Sequence, residues 1–265
     1  MEQADLETFI KIRAALDPHQ ETVFWWTGRI YAFIPGQKAQ LWFDFEGYNI
    51  ARALPCADGY ALLTREASFY QKPNGGPILE HWTCPLSGQT VEVIHVWNDP
   101  VNQHFPRLRA DGTPFALPLV DLGMGDLCLP MDVFLAYPSP LPRAQFMRYS
   151  AGDLYQGGEL FQFFVRQAEL ADPTCLSVPA LLSWTRIGPW LPWMELGDTP
   201  GWLIYQCRGK KLSGGYAALP EPVREYVEAH APQFATAPWE DTGENETSWT
   251  YFLRRLKGGT DLASA

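Results

Sequence analysis

Segments of strand length that end at turn sequences recur along this chain, and they constrain its fold more than any other feature. Residues 22–34 are dense in β-branched and aromatic side chains and stop at Pro35-Gly36, a turn sequence. Similar segments occupy residues 40–50, 59–71, 90–97, 158–170, 180–188, 202–212 and 247–256. Residues 5–16 and 220–230 carry apolar side chains at helical spacing instead.

Many short strands with two short helices predict a mainly β protein. We expect a single-domain antiparallel β-barrel of the lipocalin type with short N- and C-terminal helices, and a β-sandwich is the alternative. No repeat or break in composition divides residues 1–265, so the chain is predicted to be one domain. Residues 100–145 are punctuated by prolines and have no sustained period, which predicts a long irregular segment that covers a site.

The strand predicted over residues 59–71 mixes polar and apolar side chains on both of its faces. Thr64, Glu66 and Ser68 share one face with Tyr60 and Tyr70. This mixture is expected of a barrel whose interior is not purely apolar. An eight-stranded barrel has room for one small ligand.

Charge and cysteine usage limit the partners and the compartment. The chain has 30 Asp and Glu against 20 Lys and Arg, and the resulting net charge of −10 disfavours nucleic acid and anionic membranes as partners. The first ten residues lack the basic region of a signal peptide, and no apolar run of about 18 residues occurs, so we expect a cytoplasmic protein. The five cysteines include no C-x-x-C pair and are expected to be reduced. Assembly into a homo-oligomer is left open.

The motifs of the common cofactor-dependent enzymes are absent from the sequence. It has no Gly-rich turn of the Rossmann or P-loop kind, no H-E-x-x-H and no G-x-S-x-G. We therefore expect no cofactor. Aromatic residues make up 14% of the chain, and with few polar groups among them they are typical of a pocket for an apolar small molecule.

His95 is the first candidate for proton transfer. Pro100 is predicted to stop the strand and turn the chain, which can bring Asp99 or Asn102 back beside His95, and Asn98 lies in the same stretch. An imidazole oriented by a carboxylate acts as a general acid and base near neutral pH. The alternative is that Asn98-Asp99-Pro100 is only a turn, in which the Asx side chains bond the backbone.

Two further groups are candidates for a site. Glu46 follows an aromatic strand, and a carboxyl beside apolar surface tends towards the raised pKa of a general acid; a solvated glutamate at a turn is the alternative. Residues 183–194 place Arg186 among tryptophans in a segment broken by prolines. Those indoles form either a pocket wall or part of the core.

A metal site is a further alternative. His81, His95 and His104 could supply three imidazoles from neighbouring strands, with Glu46 or Asp99 as a fourth ligand. Because their spacing matches no compact ligand motif, no metal is included in the leading hypothesis.

The chain resembles the bacterial and fungal proteins grouped as domain-of-unknown-function family 1838. The resembling segments are residues 24–36, 43–49, 82–90, 91–102 and 184–201, followed by a C-terminal helix and Ala237-Pro238. The blocks NDPVN and PWLPWM are the most specific of them. The resemblance runs from about residue 10 to residue 255 and implies one domain with a shared pocket that includes His95 and Asp99.

Together these features predict a cofactor-independent lyase or isomerase that moves protons on a hydrophobic, aromatic small molecule, such as a lignin-derived compound or a polyketide. In this hypothesis His95 transfers the proton, Asp99 orients it and Glu46 is a second acid. The residues expected to bind substrate are Asn98, Asn102, Arg186, Trp26, Trp82, Trp184, Trp190, Trp193 and Met194. Two alternatives stay open, a lipocalin-like carrier of an apolar ligand and a metal-dependent enzyme that uses the histidine cluster.

Overall fold

The computed structural model describes residues 2–258, and its secondary structure is mainly β, with 44% strand and 18% helix. The strands are β1 (Glu2–Ala4), β2 (Thr22–Phe33), β3 (Gln40–Cys56), β4 (Gly59–Gln71), β5 (His81–Thr83), β6 (Thr90–Glu92), β7 (Val96–Asn98), β8 (Gln103–Pro106), β9 (Leu117–Gly123), β10 (Asp126–Pro138), β11 (Leu154–Arg166), β12 (Leu181–Gly188) and β13 (Trp202–Leu212). The helices are α1 (Leu6–Arg13), α2 (Arg143–Phe146), α3 (Gln167–Ala171), α4 (Glu221–His230) and α5 (Ser248–Leu256).

One large antiparallel sheet dominates the fold. Its strands follow the order β1-β9-β10-β11-β12-β13-β2-β3-β4-β7, and β8 pairs with β4 beside β7, while β5 and β6 form a separate two-stranded sheet. The large sheet curls into a half-barrel. The predicted fold class, a mainly β barrel-like protein with short helices near both ends, is therefore confirmed.

Glycines on the concave face allow the central strands to approach closely. A Cβ at Gly209 in β13 would lie 2.0 Å from the backbone oxygen of Trp25 in β2. A Cβ at Gly47 in β3 would lie 2.6 Å from the backbone oxygen of Ala67 in β4. Both distances are far below van der Waals contact, so these two positions of the curled sheet require a residue without a side chain.

Side chains of the two sheet faces pack into two hydrophobic cores, because successive residues of a strand point to opposite faces. The concave face packs with α1 and α5, whose Phe9 and Phe252 are buried there. The convex face of β2, β3 and β4 is covered by α4, where Val223 and Val227 contact the layer that includes Phe69. The concave side is where a ligand site can form.

Residues 247–256 form helix α5, so the prediction of a strand there is wrong. The side chain of Thr247 accepts a hydrogen bond from the Thr250 backbone N–H, and the Thr250 hydroxyl accepts one from the Thr247 N–H, which makes a capping box. Trp249 and Phe252, one turn apart, are both buried in the concave core. Large side chains also alternate at Trp249, Tyr251 and Leu253, and this alternation led to the prediction of a strand.

The region 100–145 contains β8, β9 and β10, so the predicted irregular segment is wrong over these strands. β10 pairs with β11 along its whole length but with β9 only over residues 126–128. Pro130 therefore lies where β10 is an edge strand, a position that tolerates proline. No helix within residues 2–258 is long and apolar enough to cross a membrane.

Candidate functional site

The concave side of the half-barrel encloses a cavity of about 380 Å³. Strands β2, β3, β4, β10, β11, β12 and β13 supply most of its wall, and residues 245–249, which lead into α5, close one side. Its volume lies in the range of small-molecule sites. The ionisable residues that line it are Arg13, Glu66, Tyr70, Tyr137, Tyr155, Glu159, Arg186, Tyr205 and Glu246.

Glu66 lies at the centre of a polar row across three strands. It is directly opposite Asn49 on β3 and Asn98 on β7, and all three line the cavity. Directly paired residues have Cβ atoms about 5 Å apart. The Asn98 side-chain oxygen is buried and has no hydrogen-bond partner among the described residues. An acceptor is therefore open on the residue paired with Glu66.

The environment of Glu66 favours its protonated form. Burial raises its pKa from the usual 4.5 to about 7, and the nearby Glu159 carboxylate adds to this effect. The Arg186 and Arg13 guanidinium groups oppose the shift. A carboxyl that titrates near neutral pH both accepts and donates protons, as general acid–base chemistry requires.

Arg186 is only 8% exposed and has an incompletely satisfied guanidinium. Its Nε lies 3.6 Å from a Glu159 carboxylate oxygen, and its Nη2 donates to the Tyr155 hydroxyl at 2.8 Å. The group also lies 4.9 Å from the Tyr205 ring centroid and 5.6 Å from that of Trp249. Nη1 is buried and has no hydrogen-bond partner in the part of the chain that the structure describes. Since Arg186 lines the cavity, this unused donor is available to a ligand there.

Two indoles add further unused donors. Trp26 and Trp184 both line the cavity, with ring centroids 5.8 Å apart. The Nε1 of each is buried and has no hydrogen-bond partner within the described range 2–258. Of the residues expected from the sequence to bind substrate, the structure therefore brings Asn98, Arg186, Trp26 and Trp184 together on one cavity.

His95 is buried outside the lining of this cavity. It lies between β6 and β7, which split the single strand predicted over residues 90–97. Its Nδ1 accepts a hydrogen bond from the Tyr70 backbone N–H at 3.2 Å. Burial lowers its pKa to about 3, and His230 adds to the decrease. A histidine that stays neutral throughout the physiological range does not shuttle protons near pH 7.

Asp99 does not orient His95, in contrast to the predicted pairing. It accepts a hydrogen bond from Arg65 Nε at 2.8 Å, and the same arginine donates to the Thr236 carbonyl at 2.8 Å. Among the described residues His95 Nε2 has no hydrogen-bond partner. The ion pair of Asp99 thus fastens the segment after α4 to the sheet.

Glu46 and Asn102 also lie off the cavity wall. Glu46 follows Phe45, which lines the cavity, so its side chain points to the opposite face of β3. It accepts hydrogen bonds from Trp25 Nε1 at 2.8 Å and from Gln71 Nε2 at 3.1 Å. Asn102 donates to Asp241 at 2.9 Å and holds the loop that precedes α5. Both residues make structural contacts.

The other predicted aromatic residues form a packed cluster at one end of the concave core. Trp190 stacks on Trp42 at 5.2 Å between ring centroids, and its Nε1 donates to the Thr199 carbonyl. Trp82 also packs on Trp42, and Trp193 packs on Tyr70. Met194 is buried in the same core. Trp82, Trp190, Trp193 and Met194 do not line the cavity, so of the two interpretations left open for them the core is the one the structure supports.

The three histidines considered for a metal do not converge on one site. Val96, next to His95, pairs with Ser68, whereas His104 pairs with Ala61 on the same strand. Seven residues of strand separate these positions by about 23 Å. His104 instead bonds Asp58 at 3.0 Å on the surface. The histidine-cluster alternative is therefore wrong.

Sequence reasoning missed Glu66, Glu159 and the tyrosines Tyr155 and Tyr205 as site residues. For Glu66 the signal was present in β4, where this residue shares a face with large aromatic residues. The sequence did not show that this face of β4 is the concave one.

The raised pKa of Glu66 has a consequence for stability. Between its unfolded value near 4.5 and its folded value of about 7, the unfolded state loses the proton while the folded state keeps it. The free energy of unfolding therefore falls as the pH rises through this window and is flat above it, with a contribution of at most about 3 kcal/mol. Glu66→Gln lacks this pH-dependent contribution to stability. We therefore expect the melting temperature of the variant to rise relative to that of the wild type between pH 4.5 and pH 7. A difference in melting temperature between the variant and the wild type that stays constant across that pH range, measured by scanning calorimetry, would contradict the environment described for Glu66.

Comparison with known proteins places the chain in a family. No curated protein matches it in a sequence search. The family model described as “Protein of unknown function (DUF1838)” matches residues 19–256, a range that includes most of the cavity wall. The chain therefore belongs to this family, as the sequence resemblance predicted.

Proposed function

We propose that the protein is a lyase or isomerase that uses its own side chains for general acid–base chemistry on an aromatic small molecule in the half-barrel cavity. The observation that carries this proposal is the meeting of a carboxyl with a pKa near 7, Glu66, and an unpaired guanidinium nitrogen, that of Arg186, in one apolar cavity. A pocket that only retains an apolar ligand needs neither group.

Glu66 replaces His95 as the proton-transferring residue of this proposal. As a carboxylate it accepts a proton from a carbon next to a carbonyl group of the substrate. The electron pair of that C–H bond moves towards the oxygen. The protonated Glu66 then returns the proton to a different carbon, which completes an isomerisation, or to a leaving group, which completes an elimination.

The negative charge that develops on the substrate oxygen needs donors that are already in place. Arg186 Nη1 is buried and unpaired, and its orientation is held by Glu159 and Tyr155. The indole N–H groups of Trp26 and Trp184 are also unused. Preorganised donors in a cavity with few waters stabilise an oxyanion strongly.

A non-catalytic carrier is the second candidate, and the predominantly apolar wall favours it. Phe24, Phe45, Phe161 and Leu182 form much of that wall. Such a surface serves a carrier and an enzyme equally well, so only proton transfer distinguishes the two.

Proton exchange in D₂O tests the proposal. The purified protein is incubated with a panel of phenols, aryl ketones and aryl β-keto acids, and solvent deuterium in recovered compounds or products is measured by mass spectrometry. We expect at least one compound to exchange or convert faster with protein than without it. A protein that binds panel members, as shown by calorimetry, yet exchanges none of their protons is a carrier.

A further inference from the structure

We infer that the ligand of this cavity already carries one anionic oxygen group on a flat aromatic body, and that Arg186 binds that group before any reaction. The inference rests on the proposed function and adds the charge class of the substrate to it. A ligand that is already anionic requires a positively charged partner when it binds. A neutral carbonyl acquires negative charge only during the reaction. The charged residues of the cavity that lack partners distinguish an anionic ligand from a neutral one.

The balance of charges facing the cavity is the first line of support. Two guanidinium groups face it, Arg13 from α1 and Arg186 from β12, together with two carboxyls, Glu66 from β4 and Glu159 from β11. The further carboxylate of Glu246 is already bonded by Arg254. When Glu66 is protonated, the cavity has one cation in excess.

The tyrosines of the cavity do not change that balance. Burial raises the pKa of Tyr70, of Tyr137 and of Tyr205, so these hydroxyls stay neutral. Tyr155 accepts the Nη2 hydrogen bond of Arg186 through its hydroxyl oxygen. No other described charged residue lines the cavity.

The positions of the two arginines are the second line of support. Glu159 lies 3.6 Å from Nε of Arg186, and Nη1 is buried and has no hydrogen-bond partner among residues 2–258. Arg13 lies over the rings of Phe163 and Phe24, at 5.0 and 5.5 Å from their centroids, and makes no ion pair with a described carboxylate. A buried guanidinium such as that of Arg186 is costly without a full set of partners unless a ligand provides them.

The shape and lining of the cavity support an aromatic body. The ring of Phe161 lies nearly parallel to Trp184, with an interplanar angle of 12° and centroids 6.1 Å apart. Phe45 and Phe24 supply further flat surfaces. Walls of this kind favour planar rings, which stack on them or meet them edge to face.

The test uses two probes of nearly the same shape, 2-naphthoate and the uncharged 2-naphthamide. Calorimetric titration near neutral pH is expected to show that the carboxylate binds roughly 10- to 100-fold more tightly, because a hydrogen bond to a charged group is worth this much. Equal binding of 2-naphthoate and 2-naphthamide, or binding of neither, overturns the inference.

Substitution locates the anion. Arg186→Gln is expected to abolish the preference for 2-naphthoate, whereas Arg186→Lys retains part of it. Arg29→Gln, a change on the exposed outer face where Arg29 lies 3.9 Å from Asp44, leaves the preference unchanged. If Arg186→Gln does not fold, the comparison of the two probes on the wild type still decides the charge class, and Arg186→Lys tests the position. A full preference in folded Arg186→Gln overturns the assignment to Arg186.

The pH dependence of binding is a separate readout. Ionisation of Glu66 removes the excess positive charge, so affinity for 2-naphthoate falls between about pH 6 and about pH 8.5, while affinity for 2-naphthamide is constant. Glu66→Gln removes this dependence. A dependence that persists in Glu66→Gln contradicts the charge balance described above.

The binding experiments test the charge class of the ligand, and the proton-exchange experiment tests the proposed enzyme, so the two can fail independently. Binding of 2-naphthoate through Arg186 without proton exchange on any compound leaves the charge class standing and rejects the enzyme. Turnover of a neutral ketone that is unaffected by Arg186→Gln leaves the enzyme standing and rejects the charge class.

Discussion

Glu66→Gln is expected to lower the turnover of any substrate of this protein by roughly 10²- to 10⁴-fold, the usual contribution of one acid–base group. Glutamine keeps the size of the side chain and its hydrogen-bonding oxygen but holds no exchangeable acid proton. Because the carboxyl lies on the cavity wall opposite Asn49 and Asn98, the change leaves the packing of β4 intact. The measurement is the steady-state rate with a compound found by proton exchange.

The pH profile separates a chemical role from a structural one. In the wild type the rate is expected to change through an apparent pKa of about 7 in the free protein, and that transition is absent from the residual activity of Glu66→Gln. Glu221→Gln, on the exposed first turn of α4, is the matched control and retains full activity. Turnover of Glu66→Gln within about threefold of the wild type would reject Glu66 as the proton-transferring group.

Gly209→Ala is expected to destabilise the fold by about 3 kcal/mol or more, at the upper end of what overpacking costs. The added Cβ would lie 2.0 Å from the Trp25 backbone oxygen and 2.9 Å from the Trp26 Cα, so β13 and β2 would have to separate. Neither obstacle is a flexible side chain that could rotate away. For a chain of this size the melting temperature is expected to fall on the order of 10 °C.

Gly158→Ala is the matched control and is predicted to change the free energy of unfolding in the opposite direction. Its added Cβ meets only the Phe134 ring, at 3.5 Å, which is ordinary contact. Alanine there restricts the unfolded chain and is expected to stabilise the protein by about 0.5 kcal/mol. Differential scanning fluorimetry of both variants tests the pair. A tolerated Gly209→Ala would show that the close approach of β13 and β2 does not limit the curl of the sheet.

Much of the fold was predictable because it depends on local patterns. Alternation of aromatic and β-branched residues with turn sequences identified β2, β3, β4, β12 and β13. The pattern was misleading for α5, where Trp249, Tyr251 and Leu253 alternate although a capping box at Thr247 begins a helix. Prolines hid β10, because an edge strand tolerates a residue that a central strand excludes.

The candidate site was predictable only in part, for a geometrical reason. Arg186, Asn98, Trp26 and Trp184 were chosen for their chemistry, and they do line the cavity. His95 and Asp99 were chosen because they are close in sequence, yet one is buried against Tyr70 and the other bonds Arg65. Closeness along a chain that turns does not bring two side chains together.

The sequence by itself determined the class of the protein and the two faces of each strand, since alternation is a property of consecutive residues. It placed Glu66 on a face shared with Tyr70, but it did not say whether that face is concave. Only the tertiary structure decided this, because the direction of curl depends on the pairing of strands far apart in the chain and on glycines such as Gly209. That curl brings Glu66 of β4 and Arg186 of β12 onto one cavity, where burial shifts the pKa of Glu66 and leaves a nitrogen of Arg186 unpaired.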